Sequence, residues 1–322
     1  MPAVRVYNGD KGVKTLALFV ADLHLSHTPP VARSAEPDWY AAQARPLRQV
    51  MELANKLGCV VLCAGDVFDR YGAQPELVNF AVDHLPEMWA VPGQHDLPMH
   101  LYADLHKSAY RTLVKTGSIL DLGYFDGQPM GMTDERHRVH LFGHPWGTTV
   151  EPLGGERLPD DPPTVAVVHS YIWITGKHFA GPPGDAHLSC WIDRLRGYDV
   201  AVFGDNHQHF TAKAGTCRVW NCGCLIRRKQ DERNLRPTVG LLMEDGSIRA
   251  HELDCSEDKW IDEDVGSAAS HDGERPRLAE FLGELRGLEA ESPDFRGLVR
   301  RYAQRPEVPA GVKGLLLKTI GD

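Results

Sequence analysis

Five short segments stand in one order along this chain: Asp22-Leu23-His24, Gly65-Asp66-Val67-Phe68-Asp69, Gly93-Gln94-His95-Asp96, His169 and Gly204-Asp205-Asn206-His207. Each follows a short apolar, β-branched run, the pattern of a residue leaving the end of a strand buried on both faces. In open α/β sheets ligand groups gather at the carboxyl ends of the strands. A chain patterned this way is constrained to bring carboxylate, imidazole and amide groups from several strand ends to one place, the donor set of a two-metal hydrolytic centre.

The runs between these segments alternate with helical patterns. Leu16 to Val20 reads as the first buried strand, and a loop rich in Pro and Ser follows from Ser26 to Pro37. Pro46 is placed to start a helix, because Leu47, Val50, Met51, Ala54 and Leu57 follow at i, i+3, i+4, i+7 spacing. Cys59 to Ala64 reads as a second strand, Pro75 to Leu85 as a helix and Met88 to Val91 as a third strand. One more helix is expected over about residues 103–115, and this β-α-β rhythm implies a largely parallel sheet. After it the pattern turns strand-rich, with cores at Val139 to Phe142, Val165 to Val168, Val200 to Phe203, Arg218 to Asn221, Thr238 to Met243 and Ser247 to His251. Asp245-Gly246 between the last two is a hairpin signal.

Near Ser256 the composition becomes acidic and small-residue-rich. Residues 1–255 therefore read as one catalytic-size domain and 256–322 as a linker and helical extension, with Leu278, Phe281, Leu282 and Leu285 on one helical face and an Arg-rich helix from Phe295 to Gln304. The formal net charge of −9 gives no sequence-wide attraction for nucleic acid, although bound cations or a local basic patch reverse the field at one site. The seven cysteines show no secreted disulfide framework, and Cys217, Cys222 and Cys224 have poor spacing for structural zinc. The apolar stretch from Val13 to Ala21 is too short to span a bilayer and carries Lys14, so it reads as a strand. No membrane association and a reducing, cytoplasmic compartment are expected.

The order Asp-x-His, Gly-Asp-x-x-Asp, Gly-x-His-Asp, a lone His and a final His-bearing motif resembles the calcineurin-like metallophosphoesterase superfamily over roughly residues 16–251. Gly65-Asp66-Val67-Phe68-Asp69 looks most like SbcD-type DNA nucleases and related phage and bacterial repair exonucleases. Asn221-Cys222-Gly223-Cys224-Leu225-Ile226-Arg227-Arg228 resembles the Asn-Pro-Gly-Ser-Leu-x-Arg segment that follows their last metal motif. The resemblance implies a four-layer α/β/β/α metallophosphoesterase sandwich of two mixed sheets with a small helical C-terminal extension. It assigns Asp22, His24, Asp66 and His207 to one divalent ion, and Asp66, Gln94, His169 and Asp205 to a second. The ions expected are Mn²⁺, with Mg²⁺ or Fe²⁺ as alternatives. His95 corresponds to the histidine that steadies the transition state or protonates the leaving oxygen, and Asp96 is expected to orient it. Arg227 and Arg228 are the expected contacts to a phosphate backbone.

Two positions depart from the family pattern. Gln94 stands where Asn is usual, which displaces the amide oxygen by one methylene. Asp205 stands where the first His of Gly-His-x-His belongs, and a register using His207 and His209 is the alternative; the carboxylate tilts the site toward Mn²⁺ or Mg²⁺ over Zn²⁺. His144, at the end of a strand, is a further candidate for the cleft. The leading expectation is a Mn²⁺-dependent DNA exo- or endonuclease of repair or phage DNA metabolism, for which an ABC-type ATPase of the SbcC kind and a homodimer are the partners the resemblance admits. A phosphatase or small-molecule phosphodiesterase is the second reading, and a scaffold that has lost its metals the third.

Overall fold

Runs of apolar residues buried on both faces become the strands of two sheets in the computed structural model, which describes residues 13–125, 128–129, 131–155, 161–178, 181–261 and residue 313. In chain order the strands are β1 (Thr15–Val20), β2 (Val60–Cys63), β3 (Met88–Ala90), β4 (Ile119–Asp121), the ribbon β5 (Tyr124–Phe125) and β6 (Gln128–Pro129), β7 (Gly131–Asp134), β8 (Val139–His144), β9 (Thr164–His169), β10 (Val200–Gly204), β11 (Phe210–Ala214), β12 (Cys217–Asn221), β13 (Thr238–Met243) and β14 (Ile248–Glu252). One six-stranded sheet has the order β14-β13-β1-β2-β3-β4 and the other β11-β12-β10-β9-β8-β7. Both are mixed. β1 to β4 are parallel, with β13 and β14 antiparallel at the edge, and β8, β9, β10 and β12 are parallel between the antiparallel edges β7 and β11.

The period of two sets the layers. Leu18 and Val20 of β1 join the core under the helices α1 (Trp39–Leu57), α2 (Pro75–His84) and α3 (Ala109–Thr116). Ala17 and Phe19 face the other sheet, against Val165, Val167, Val200, Val202 and Trp220. On the far side of the second sheet, Leu188, Trp191, Leu195 and Tyr198 cover Val168, Ala201 and Phe203. This fourth layer of the α/β/β/α sandwich is thin, supplied by 3₁₀ turns at Gly184–Ala186 and Leu188–Trp191.

Two helices begin elsewhere than the sequence pattern suggests, and in each the cap decides. α1 starts seven residues before Pro46, at Trp39, because Asp38 accepts a hydrogen bond from Ala41 N (3.0 Å) while Trp39 Nε1 donates to Ser26 O (3.0 Å). Pro46 sits inside the helix. The segment expected as one helix over 103–115 is a 3₁₀ stretch, Tyr102–Lys107, broken at Ser108, whose hydroxyl caps α3 by accepting from Arg111 N. The strands β4, β5, β6, β7 and β11 carry no periodic signal in the sequence. Both expected C-terminal helices lie outside the described residues. No helix among the described residues is long and apolar enough to cross a membrane.

Residues just past 255 are tied into the fold by charge. Arg33 is almost completely buried and meets Glu36 Oε1 at 2.5 Å and Asp258 Oδ1 at 2.9 Å; Arg45 meets the same two carboxylates at 2.7 and 3.0 Å. Arg33 also lies over the Trp39 and Trp260 rings. Without Arg33 both carboxylates would still be faced by Arg45, and Asp258 also by Arg227, so its removal costs the charge-assisted hydrogen bonds that Arg33 itself makes. Arg33→Met is therefore expected to lower the free energy of unfolding by about 2 kcal/mol, measured by urea titration.

Candidate metal centre

All five sequence segments arrive at the carboxyl ends of neighbouring strands. Asp22 and His24 follow β1, Asp66 follows β2, Gln94 and His95 follow β3, His169 ends β9, and Asp205 and His207 follow β10. The loops after β1 and β2 continue the sheet ladder beyond the strands, with Asp22 N bonded to Gly65 O (3.0 Å), His24 N to Asp66 O (2.9 Å) and Leu25 N to Val67 O (2.9 Å). Asp22, His24, Asp66 and Asp205 all turn out of their strands with positive φ, at 53°, 45°, 54° and 80°. Such backbone strain in non-glycine residues persists only where the surroundings over-determine it, and it concentrates at functional sites.

The convergence is so tight that two of the motif glycines are steric necessities. A Cβ on Gly93 would lie 2.1 Å from Asp66 Oδ1, and one on Gly65, whose φ is +93°, would lie 2.2 Å from His169 Nδ1. These glycines let the carboxylate and the imidazole approach the neighbouring backbone.

Asp66 lies at the centre. Its Oδ1 accepts from His95 N (3.0 Å), while its Oδ2 is buried without a well-formed hydrogen bond and faces His169 Nε2 at 3.4 Å, His24 Nε2 at 3.6 Å and His95 Nε2 at 4.0 Å. Ligand atoms of Asp22, His24 and His207, and those of Asp22, Asp66 and His169, lie within 4.8 Å of one another. His24 Nε2 and His207 Nε2 are 3.2 Å apart. On the second side, His169 Nε2 touches Gln94 Oε1 (2.5 Å) and Gln94 Nε2 donates to Asp205 Oδ1 (2.7 Å). A bare buried carboxylate oxygen ringed by imidazoles, with further carboxylates behind it, is a donor set that fits divalent cations.

The electrostatics agree. Burial pushes Asp22 up to about 7, with His207 and His169 opposing and the Asp66 and Asp205 carboxylates adding to the rise. Burial would also raise Asp66, but His169, His24 and His95 outweigh it and hold it below the usual carboxylate range. Burial keeps His24 neutral. His169 is raised to about 10, because Asp66 more than offsets its burial. Its Nδ1 is committed to Ala64 O at 2.6 Å, so the proton exchanged for a cation is the one on Nε2.

Several expected roles are relocated. Asp96 does not orient His95; its buried carboxylate accepts from Val67 N (3.1 Å), Phe68 N (2.9 Å) and Gly93 N (3.0 Å), locking the β2 and β3 loops together. His95 is oriented by the Asp69 carbonyl, which takes Nδ1–H at 2.9 Å. Arg227 does not reach the cleft. Arg227 turns inward to Asp258 (2.7 Å) and the carbonyls of Arg233 and Leu235. Arg228 turns outward, paired with Asp69, and with Lys229, Tyr171 and Pro30 lines a cleft of about 490 Å³ over His24, Asp66 and His207. His209 donates to Asn221 O and packs on Trp220, whereas Asp205 and His207 both line the cleft. His144 is fully buried against Tyr198. Cys217 and Cys222 belong to different apolar cores.

One residue of the site escaped the sequence reading. Glu232 is 2 % exposed and its Oε1 accepts from His207 Nδ1 at 2.7 Å. Its only signal in the chain is an acidic residue at the third position of a 3₁₀ turn, the place from which a side chain reaches back to the cap.

The profile of the calcineurin-like phosphoesterase family matches residues 16–209, and the chain belongs to that family of metal-dependent hydrolases of phosphoester bonds. No curated protein sequence matches the chain. Among solved structures it is similar to the sulfate thiohydrolase SoxB of Thermus thermophilus (12 % identity, 81 % of this chain and 60 % of that one, TM-score 0.48). It is also similar to an archaeal phosphodiesterase (14 %, 74 % and 99 %, 0.37) and a putative 5'-nucleotidase of Staphylococcus aureus (13 %, 77 % and 56 %, 0.44). The chain thus spans about three fifths of the SoxB structure.

Two outcomes are expected. Gly93→Ala, which crowds the Asp66 backbone N as well as its carboxylate, should lower the melting temperature and weaken Mn²⁺ binding by about 10–100-fold, the usual scale for disturbing a ligand's support, measured by calorimetry. The apparent affinity for Mn²⁺ should rise with pH through about 7, as Asp22 loses its proton, and on toward about 10, where His169 does. Cations compete with both protons, so proton release should appear when the titration is repeated in buffers of different ionisation enthalpy.

Proposed function

We propose that this chain is a two-metal phosphodiesterase whose substrate is DNA, working with Mn²⁺ in the manner of SbcD-type nucleases. Asp22, His24, Asp66 and His207 would hold one cation, and Asp66, Gln94, His169 and Asp205 the other. Bound there, the cations supply an activated water and neutralise charge on the phosphate. The chain's own groups do the rest. With Nδ1–H held by the Asp69 carbonyl, the half-exposed His95 presents Nε2 to the cleft as the atom that passes a proton to the departing oxygen. Arg228 and Lys229 border the same cleft and offer positive charge to a flanking phosphate.

The observation that carries this reading is the meeting of the buried Asp66 carboxylate, the His95 imidazole and Arg228 on one cleft. The motif likeness of Gly65 to Asp69 and of Asn221 to Arg228 supports DNA as the diester. The inward turn of Arg227 favours a second reading, a phosphatase or phosphodiesterase of small molecules, because it removes one of two expected backbone contacts.

Hydrolysis of linear duplex and single-stranded DNA, beside bis-p-nitrophenyl phosphate, separates the two. With Mn²⁺, Asp66→Ala should lose at least about 10²-fold on every substrate. Arg228→Ala should lose DNA cleavage by about tenfold or more and flatten its salt dependence by about one unit of slope, with the small diester little affected. Activity of the wild type on the small diester alone would replace DNA by a small substrate.

A further inference from the structure

The carboxylate of Glu232 receives three hydrogen bonds from two parts of the cleft. Oε1 takes His207 Nδ1 at 2.7 Å, and Oε2 takes Arg228 N at 2.6 Å and Lys229 N at 2.9 Å. An ionised carboxylate only accepts, so the neutral His207 ring facing it must carry its proton on Nδ1. Nε2, 3.2 Å from His24 Nε2, is then the unprotonated nitrogen and turns its lone pair toward Asp22 and His24. The same carboxylate fixes the backbone from which the Arg228 side chain reaches Asp69.

We propose that Glu232 is a positioning residue of the metal centre: it sets the His207 tautomer that can bind a cation and pins the Arg228–Lys229 backbone to that ligand. The inference rests on His207 being a ligand of the first cation. It assigns Glu232 no contact with substrate.

Glu232→Gln tests it because the substitution keeps shape and reverses one polarity. The amide oxygen is drawn to the two backbone N–H donors, which have no other acceptor on that side chain, and the NH₂ then faces His207 Nδ1. The ring must accept at Nδ1 and carry its proton on Nε2, the tautomer that cannot bind a cation. Mn²⁺ alone is the probe, titrated calorimetrically into metal-free wild type, Glu232→Gln, Glu232→Asp and His207→Ala. Nitrogen-15 spectra of the histidine rings report the tautomer.

The expected results are an Nδ1–H ring for neutral His207 in the metal-free wild type and a shift toward Nε2–H in Glu232→Gln. Affinity at the first position should fall by about 10–100-fold in Glu232→Gln, with part of it restored in Glu232→Asp, which keeps the acceptor. Unchanged affinity in Glu232→Gln, with a loss in His207→Ala, overturns the role of Glu232 and leaves the metal centre standing. Unchanged affinity in His207→Ala overturns His207 as a ligand and this inference with it. Should Glu232→Gln fail to fold, the wild-type spectrum decides: an Nε2–H ring overturns the proposal.

Discussion

Burying carboxylates at the junction of two sheets is the constraint to which the rest of this structure answers. Asp22 and Asp66 are almost wholly removed from water, and an isolated ionised carboxylate in such a place is strongly disfavoured. The fold answers with directed donors, Asp205 N on Asp22 and His95 N on Asp66, and gathers imidazoles at 3.4 to 4.0 Å around the remaining oxygen of Asp66. Those donors come from strand ends that meet only if the backbone turns sharply and closely, hence the positive φ at four motif residues and the glycines beside them. One oxygen of Asp66 stays without a proper partner even so. Native structures rarely tolerate such an atom without a function for it, and a bound cation is the partner that satisfies it.

The parts of this design readable in the chain are those written locally. Strands buried on both faces are continuous apolar runs, and the residues that end them are polar in a mostly apolar setting, so β1, β2, β3, β9 and β10 and the groups they deliver stand out. The edge strands β7 and β11 do not, because Gly131 to Asp134 and Phe210 to Ala214 carry exposed polar residues and owe their conformation to pairing with β8 and β12. Helix starts depart from the hydrophobic stripe where single capping residues, Asp38 and Ser108, outweigh it.

Side-chain roles set by distant partners were the hardest to read. Asp96 next to His95 suggests a carboxylate–histidine pair, but three backbone N–H groups, two from the loop after β2 and one from its own loop, claim the carboxylate first. Arg227 and Arg228 look equivalent in sequence and have opposite fates, since one faces the network of Arg33, Glu36 and Asp258 and the other the cleft. Glu232 is invisible for the same reason: nothing within a few residues of it announces His207.

The two departures from the family pattern are joined in space. Gln94 donates its amide N–H to Asp205, and that bond turns its carbonyl oxygen onto His169. The longer glutamine would carry its oxygen past the position an asparagine reaches, but a carboxylate across the site gives its amide nitrogen an anchor that an imidazole accepting at a single nitrogen would offer less readily. The replacements thus compensate each other in geometry. In donor chemistry only Asp205 changes the position, because an imidazole nitrogen is exchanged for a carboxylate oxygen while the amide oxygen is kept, and an oxygen-rich position favours harder cations. Read together, Gln94 and Asp205 argue for a second position that is altered rather than lost.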